Sequence, residues 1–175
     1  MENLILVNIN DNEIGTEKKW KCHMGKGKLH RSLSIFVFNK KGELLLQKRS
    51  KEKLLWPLHW SNTCCTHPRK GEMVEKAAHR RLEEEMGFDC DLKEIFAFEY
   101  HAVYENVGSE NEIDHVFLGQ HDGRMFPNPK EVAGWKFVDI KKLKGDVKKN
   151  PQNYTPWFKI ALDGVIKNYL GLSQP

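Results

Sequence analysis

The chain has 175 residues, which suits a single domain over residues 1–175 able to bury roughly 70% of the surface its unfolded form exposes. With 39% hydrophobic and 30% charged residues, it is too apolar for a disordered chain and too charged for a membrane protein. The net charge of +4 is spread over scattered lysines, which speaks against a nucleic-acid binder and suits a phosphorylated small molecule.

Residues 3–8 read as a strand, with no basic leader or cleavage site that would make them part of a signal peptide. Leu33–Phe38 and Glu43–Lys48 read as two strands around the turn Asn39–Gly42, a hairpin pattern. Glu72–Met86 is free of Gly and Pro and is followed by Gly87, which predicts a helix with a glycine stop. Ile95–Tyr104, Glu112–Gln120 and Trp135–Ile140 read as strands. Thr155-Pro156 reads as a cap with proline at the first helical position, opening a helix to about Leu170. The order of strands, helix, strands, helix predicts an α+β or mixed α/β sandwich rather than a βαβ series. No apolar run approaches the ~18 residues of a spanning helix. The four cysteines, with Cys64 and Cys65 adjacent, form neither a disulfide framework nor a C-x-x-C zinc pattern, so a reduced cytoplasmic protein is expected.

On a helical wheel, Val74, Ala77, Ala78 and Leu82 form one apolar stripe, and Arg81 and Glu85 fall inside it. Buried charge is costly, so the pair is either an i,i+4 ion pair closing the helix or the lining of a site for metal and phosphate. In Trp60–Pro68, an extended backbone would put Cys65 and His67 on one side and Cys64 on the other. Glu110 and Glu112, two apart, can face one cavity. They are either a solvated strand edge or, with His67, His23 and His30, mixed N and O ligands of a divalent cation.

The segment Arg80–Gly87 with Glu72 resembles the Nudix box, with two departures. Thr66 stands at the first glycine position, and Arg81 replaces a glutamate that a hydrolase needs for its metals. With these, His23-x6-His30, Arg49-x3-Lys53, Trp60–Pro68, Phe98–Tyr100, Glu110–Glu112 and Thr155–Trp157 follow one another in the order found in type I isopentenyl-diphosphate Δ-isomerases, which the chain closely resembles. The resemblance implies a Nudix-like α/β/α sandwich with a mixed sheet, and interconversion of isopentenyl and dimethylallyl diphosphate by a 1,3 proton shift through a tertiary carbocation. It implies Cys65 as one catalytic group and Glu112 with Tyr100 as the other. It places Lys19, Arg49, Lys53, Thr66 and Arg81 at the substrate, and Trp157 over the developing cation. His23, His30, His67, Glu110 and Glu112 match a site for one divalent ion, Zn²⁺, Mn²⁺ or Mg²⁺. Glu85 matches the holder of an Mg²⁺ that bridges to the diphosphate. The implied protein is a cytoplasmic monomer that acts on a small diphosphate, without nucleic acid or membrane.

Overall fold

The computed structural model describes residues 2–172. In chain order the elements are β1 (Asn3–Val7), β2 (Glu13–Lys18), α1 (Lys19–Cys22), β3 (His30–Phe38), β4 (Glu43–Arg49), β5 (Trp60–Ser61) and β6 (Cys64–Thr66). Then come α2 (Val74–Met86), β7 (Leu92–Tyr104), β8 (Gly108–Gln120), β9 (Val132–Asp139), α3 (Ile140–Lys149) and α4 (Pro156–Leu172). Among the described residues no helix is long and apolar enough to cross a membrane.

The centre of the sheet is β3, in which every residue from Leu33 to Phe38 is buried. An unbroken apolar run of this kind marks a strand covered on both faces. Along one edge β3 pairs in parallel with β8, from His30 opposite Glu112 to Phe38 opposite Gln120. β8 in turn pairs antiparallel with β7. The two faces of β3 alternate, as the pleat requires. Leu33, Ile35 and Val37 pack in the core under α2, with Ala77, Ala78, Leu82 and Met86. Phe36 and Phe38 pack in the core under α3 and α4, with Leu143, Phe158, Ala161, Leu162 and Val165. The result is the expected α/β/α sandwich on a mixed sheet.

The other edge of β3 departs from the expected hairpin. The turn forms, with Gly42 in the left-handed region at φ 75° and its N–H bonded to Asn39 O at 2.9 Å. The ladder between β3 and β4 nevertheless goes no further than Phe38 opposite Leu44. Beyond that pair the strands part, and residues 60–66 enter the gap: β5 pairs with β4, and β6 pairs with β3. The cause is a set of side chains that supply the missing hydrogen bonds. The Thr63 hydroxyl accepts from Val37 N–H (2.9 Å) and donates to Leu45 O (2.8 Å), bridging both strands at the point of separation. Asn62 donates to Ile35 O (3.3 Å), and Gln47 donates to Thr63 O (3.1 Å). The outer edge of β4 is taken by β9 over seven register pairs.

Four elements are absent from the sequence expectation. β2, α1 and β5 have no apolar periodicity to announce them, whereas α3 carries one in Ile140, Leu143 and Val147, which all pack in the core, obscured among its lysines and Gly145. The last strand starts at Val132 rather than Trp135 and ends where Asp139 caps α3, accepting from Lys142 N–H at 3.0 Å. β3 reaches back to His30 and β8 to Gly108, so both carry more of the site than expected. α2 begins at Val74, because Glu72 is used as a bidentate partner of Arg80 (2.7 and 2.8 Å). It ends at Gly87, left-handed at φ 71°, as expected.

The Thr63 bridge carries a prediction. Thr63→Val keeps the shape but leaves Val37 N–H and Leu45 O unsatisfied in the interior, which should cost about 2–4 kcal/mol in chemical denaturation. Thr63→Ser, which keeps the hydroxyl, should cost roughly 1 kcal/mol. Equal costs for the two variants would show that packing, not the bridge, holds the strands apart.

Candidate active site

A cavity of about 410 Å³ lies where the sheet opens. Lys19, His23, Arg49, Lys53, Cys65, Thr66, His67, Arg81, Glu85, Tyr100, Glu110, Glu112 and Trp157 all line it. Of the residues singled out from sequence, His30 alone is outside the lining; it is fully buried behind the other histidines. The extended backbone of β6 separates the two cysteines as expected. Cys64 is fully buried in the core under α2, while Cys65 faces the cavity opposite Ser34 of β3. The ion-pair reading of Arg81 and Glu85 is realised, and the pair lies at the cavity.

The cavity holds a thiol and a carboxylate, carried by strands on opposite sides of β3. Burial pushes the Cys65 thiol up to about 12, against the pull of Arg49, whose Nη1 lies 3.6 Å from Sγ. The thiol therefore keeps its proton at neutral pH. Arg49 is itself clamped by Leu55 O (2.9 Å) and Trp56 O (3.1 Å), and its guanidinium sits 5.2 Å from the Trp157 ring centroid. On the β8 side, Tyr100 donates a hydrogen bond to Glu112. Burial and then the Glu112 charge hold the Tyr100 hydroxyl well above its ordinary range, so it keeps its proton. Burial also opposes the charge on Glu112, but hydrogen bonds from His30 and His67 outweigh it and keep the carboxyl well below its usual range. Trp157 is aimed by its indole N–H, which donates to Asn62 Oδ1 at 3.1 Å. Thr155, two residues earlier, pairs with the Ser61 hydroxyl at 2.9 Å. The segment that wedges the sheet thus also sets the start of α4.

His23, His30, His67, Glu110 and Glu112 form a buried cluster in which one donor atom of each lies within 4.8 Å of all the others. The local bonding fits a cation better than it fits the bare protein. Nδ1 of His23 faces Lys19 O (2.8 Å) and Nδ1 of His30 faces Lys28 O (2.7 Å). With Nδ1 facing a carbonyl, each of these rings turns Nε2 inward. The inward atoms crowd around Glu112, whose Oε1 lies 2.8 Å from His67 Nε2 and 3.2 Å from His30 Nε2. His30 Nε2 is 3.2 Å from His67 Nε2, and His23 Nε2 is 2.9 Å from Glu110 Oε2 in a geometry that leaves that oxygen without a hydrogen bond. Burial drives His67 down to about 3, so this ring is neutral, and its buried Nδ1 has no hydrogen-bond partner. Three imidazoles and two carboxylates suit a transition metal at least as well as magnesium.

A second ionic group lies on the α2 side. Lys53 contacts Glu85 at 3.9 Å and is hydrogen-bonded to Glu131; Arg81 is bonded to Glu85 and reaches Glu131 at 3.3 Å. Gln47 adds a bond to Glu85 at 3.2 Å. Glu131 was not indicated by the sequence, where it is a lone acid in a loop. Asp114 was also passed over, although it continues the alternation of Glu110 and Glu112 along one face of β8, a readable signal. Asp114 lines the cavity and accepts hydrogen bonds from Ser34 (2.7 Å) and Ser32 (3.2 Å). Burial, then the nearby charge of Glu112, pushes its carboxyl well above the usual range.

Comparison with known proteins agrees with this architecture. The NUDIX domain model matches residues 28–158. Among solved structures, a Deinococcus radiodurans protein, DR0079, superposes with a TM-score of 0.70 at 20% identity, covering 85% of this chain and 90% of that one. The MutT protein of Methanosarcina mazei Go1 does so with a TM-score of 0.67 at 17% identity, covering 81% and 95%. These likenesses establish the fold alone. The sequence relatives go further. The chain is 48% identical to isopentenyl-diphosphate Delta-isomerase 1 of Aromatoleum aromaticum over 94% of its own length and 93% of the relative's. It is 49% identical to isopentenyl-diphosphate Delta-isomerase 2 of Photorhabdus laumondii over 94% and 92%. Those lengths and identities place the chain in the NUDIX family and, within it, among the isopentenyl-diphosphate Delta-isomerases.

Proposed function

We propose that the chain interconverts isopentenyl diphosphate and dimethylallyl diphosphate, as a monomeric cytoplasmic enzyme of isoprenoid biosynthesis. The observation that carries the reading is a thiol and a phenol-backed carboxylate facing one cavity, on strands either side of β3. An unactivated alkene is a weak base, so its protonation calls for a positioned acid in a dry site. One of the two groups, Cys65 or the Tyr100–Glu112 pair, adds a proton to the terminal alkene carbon, leaving a tertiary cation. The other removes a proton from the allylic carbon, and the double bond moves one position. The face of Trp157 supports the cation by about 1–2 kcal/mol. Lys19, Arg49, Lys53 and Arg81 bind the diphosphate, with Thr66 beside the substrate. A divalent ion on His23, His30, His67, Glu110 and Glu112 would supply the positive charge that sets the acidity of the Glu112 side, and Mg²⁺ on Glu85 would neutralise the diphosphate. Arg81, paired with Glu85 where a hydrolase needs a carboxylate, favours isomerisation over hydrolysis.

Incubation with isopentenyl diphosphate and Mg²⁺ in heavy water should give dimethylallyl diphosphate carrying deuterium, seen by NMR. Release of phosphate without isomer would overturn the proposal.

The two cysteines provide a separate check. Cys65→Ala should fold and lose at least ~10²-fold in kcat. Cys64→Ala should remain active and lose on the order of 1 kcal/mol of stability. The reverse pattern would place the acid on the wrong face of β6.

The neutral state of His67 sets a pH dependence in metal-stripped protein. Its folded value, about 3, lies below the ordinary histidine value of 6.5, so between these the unfolded chain binds the extra proton. Stability should therefore fall as pH drops through this window, with a His67 contribution of up to about 1.4 kcal/mol per pH unit. His67→Gln should flatten that slope between pH 6.5 and 5. An unchanged slope would mean that the ring is charged in the folded protein.

A further inference from the structure

We infer that Glu131 is a resident counter-anion of the diphosphate site: in the free protein it occupies Lys53 and Arg81, and an incoming diphosphate displaces it. The inference rests on the reading of Lys53 and Arg81 as diphosphate ligands. Glu131 is outside the cavity lining, yet its two carboxylate oxygens divide between the same two cations, Oε2 on Lys53 and Oε1 on Arg81. Glu85 contacts the same pair from its other side. Lys53 and Arg81 are thus both engaged by the same two carboxylates, and a polyanion that takes both cations must displace an anion already there.

The two glutamates are not equally replaceable. The Glu85 side chain is 1% exposed and held by Gln47, whereas that of Glu131 is 26% exposed and can rehydrate when it swings away. The Glu131 backbone is nevertheless fixed. Its N–H donates to Asn128 O (2.9 Å), its carbonyl accepts from Ser50 N–H (2.9 Å), and Asn128 N–H donates to Glu85 O (2.8 Å). These bonds tie the loop to the strand end preceding Lys53 and to the helix carrying Arg81 and Glu85. The carboxylate is thus presented to the two cations by a pinned backbone, and only its side chain has to move. A ligand that reaches both cations replaces both ion pairs; one that reaches a single cation leaves Glu131 in place.

The test is calorimetric titration of the full chain with inorganic pyrophosphate in the presence of a chelator. Glu131→Gln and Glu131→Ala should each bind pyrophosphate about tenfold more tightly than the parent, the scale of two partly exposed ion pairs. Glu84→Gln is the control for simple loss of negative charge, because Glu84 bonds Arg81 at 2.7 Å but makes no contact with Lys53. It should shift affinity by less than about threefold. Unchanged or weaker pyrophosphate binding in both Glu131 variants, with Lys53→Ala and Arg81→Ala still weakening it, would overturn the inference alone. If neither Lys53→Ala nor Arg81→Ala weakens binding, the diphosphate reading fails and the inference with it. An equal gain in Glu84→Gln would reduce the effect to net charge and also overturn it.

Discussion

Two strands that part inside a protein leave backbone donors and acceptors facing each other across a gap, and buried groups of this kind must find partners. In this chain Asn62 and Thr63, with Gln47 of β4, meet that demand. One hydroxyl bridges β3 and β4, and two side-chain amides cover what remains. Everything that defines the site hangs on this exchange of ladder bonds for side-chain bonds. The strand that follows the wedge carries Cys65 into the cavity, and Ser61 and Asn62 fasten the start of α4, so Trp157 is set by the same segment.

The site keeps two kinds of charge apart. Beside β8, three imidazoles and two carboxylates converge in a buried cluster, a donor set that suits a divalent cation. Beside α2, cations and carboxylates alternate and cancel without any added ion. Between them lie the thiol and the indole, with Asp114 in the cavity wall accepting from two serines. A substrate with a polyanionic head and a short apolar tail matches such a division.

Much of this was legible in the sequence because it follows from periodicity. The stripe of α2 located Arg81 and Glu85, Gly87 marked the helix end, and alternation separated Cys64 from Cys65 and joined Glu110 to Glu112. What was not legible has physical causes. The apparent hairpin around Asn39–Gly42 carries every local sign of pairing, and no local pattern reveals that Thr63, two dozen residues on, will claim Val37 N–H. β2 buries no residue and so imposes no pattern, while the pattern of α3, Ile140, Leu143 and Val147, is obscured by its lysines and Gly145. Glu131 is meaningful because of a fold that brings it to Lys53 and Arg81, 78 and 50 residues away. The histidines and the remaining ligands became readable through resemblance, since no spacing joins His23 to Glu112.

The parallel pairing of β3 with β8 has a consequence for biosynthesis. Partners such as Ser32 and Asp114 are 82 residues apart, and the intervening chain forms no substitute neighbour along that edge. On the ribosome, at about 5–20 residues per second, the apolar segment Leu33–Phe38 therefore waits several seconds for its partner strand to emerge. During that interval it is an unpaired, uncharged β segment of the type that aggregates. Rapid, high-level synthesis of this chain should thus depend on holdase chaperones far more than its modest size suggests.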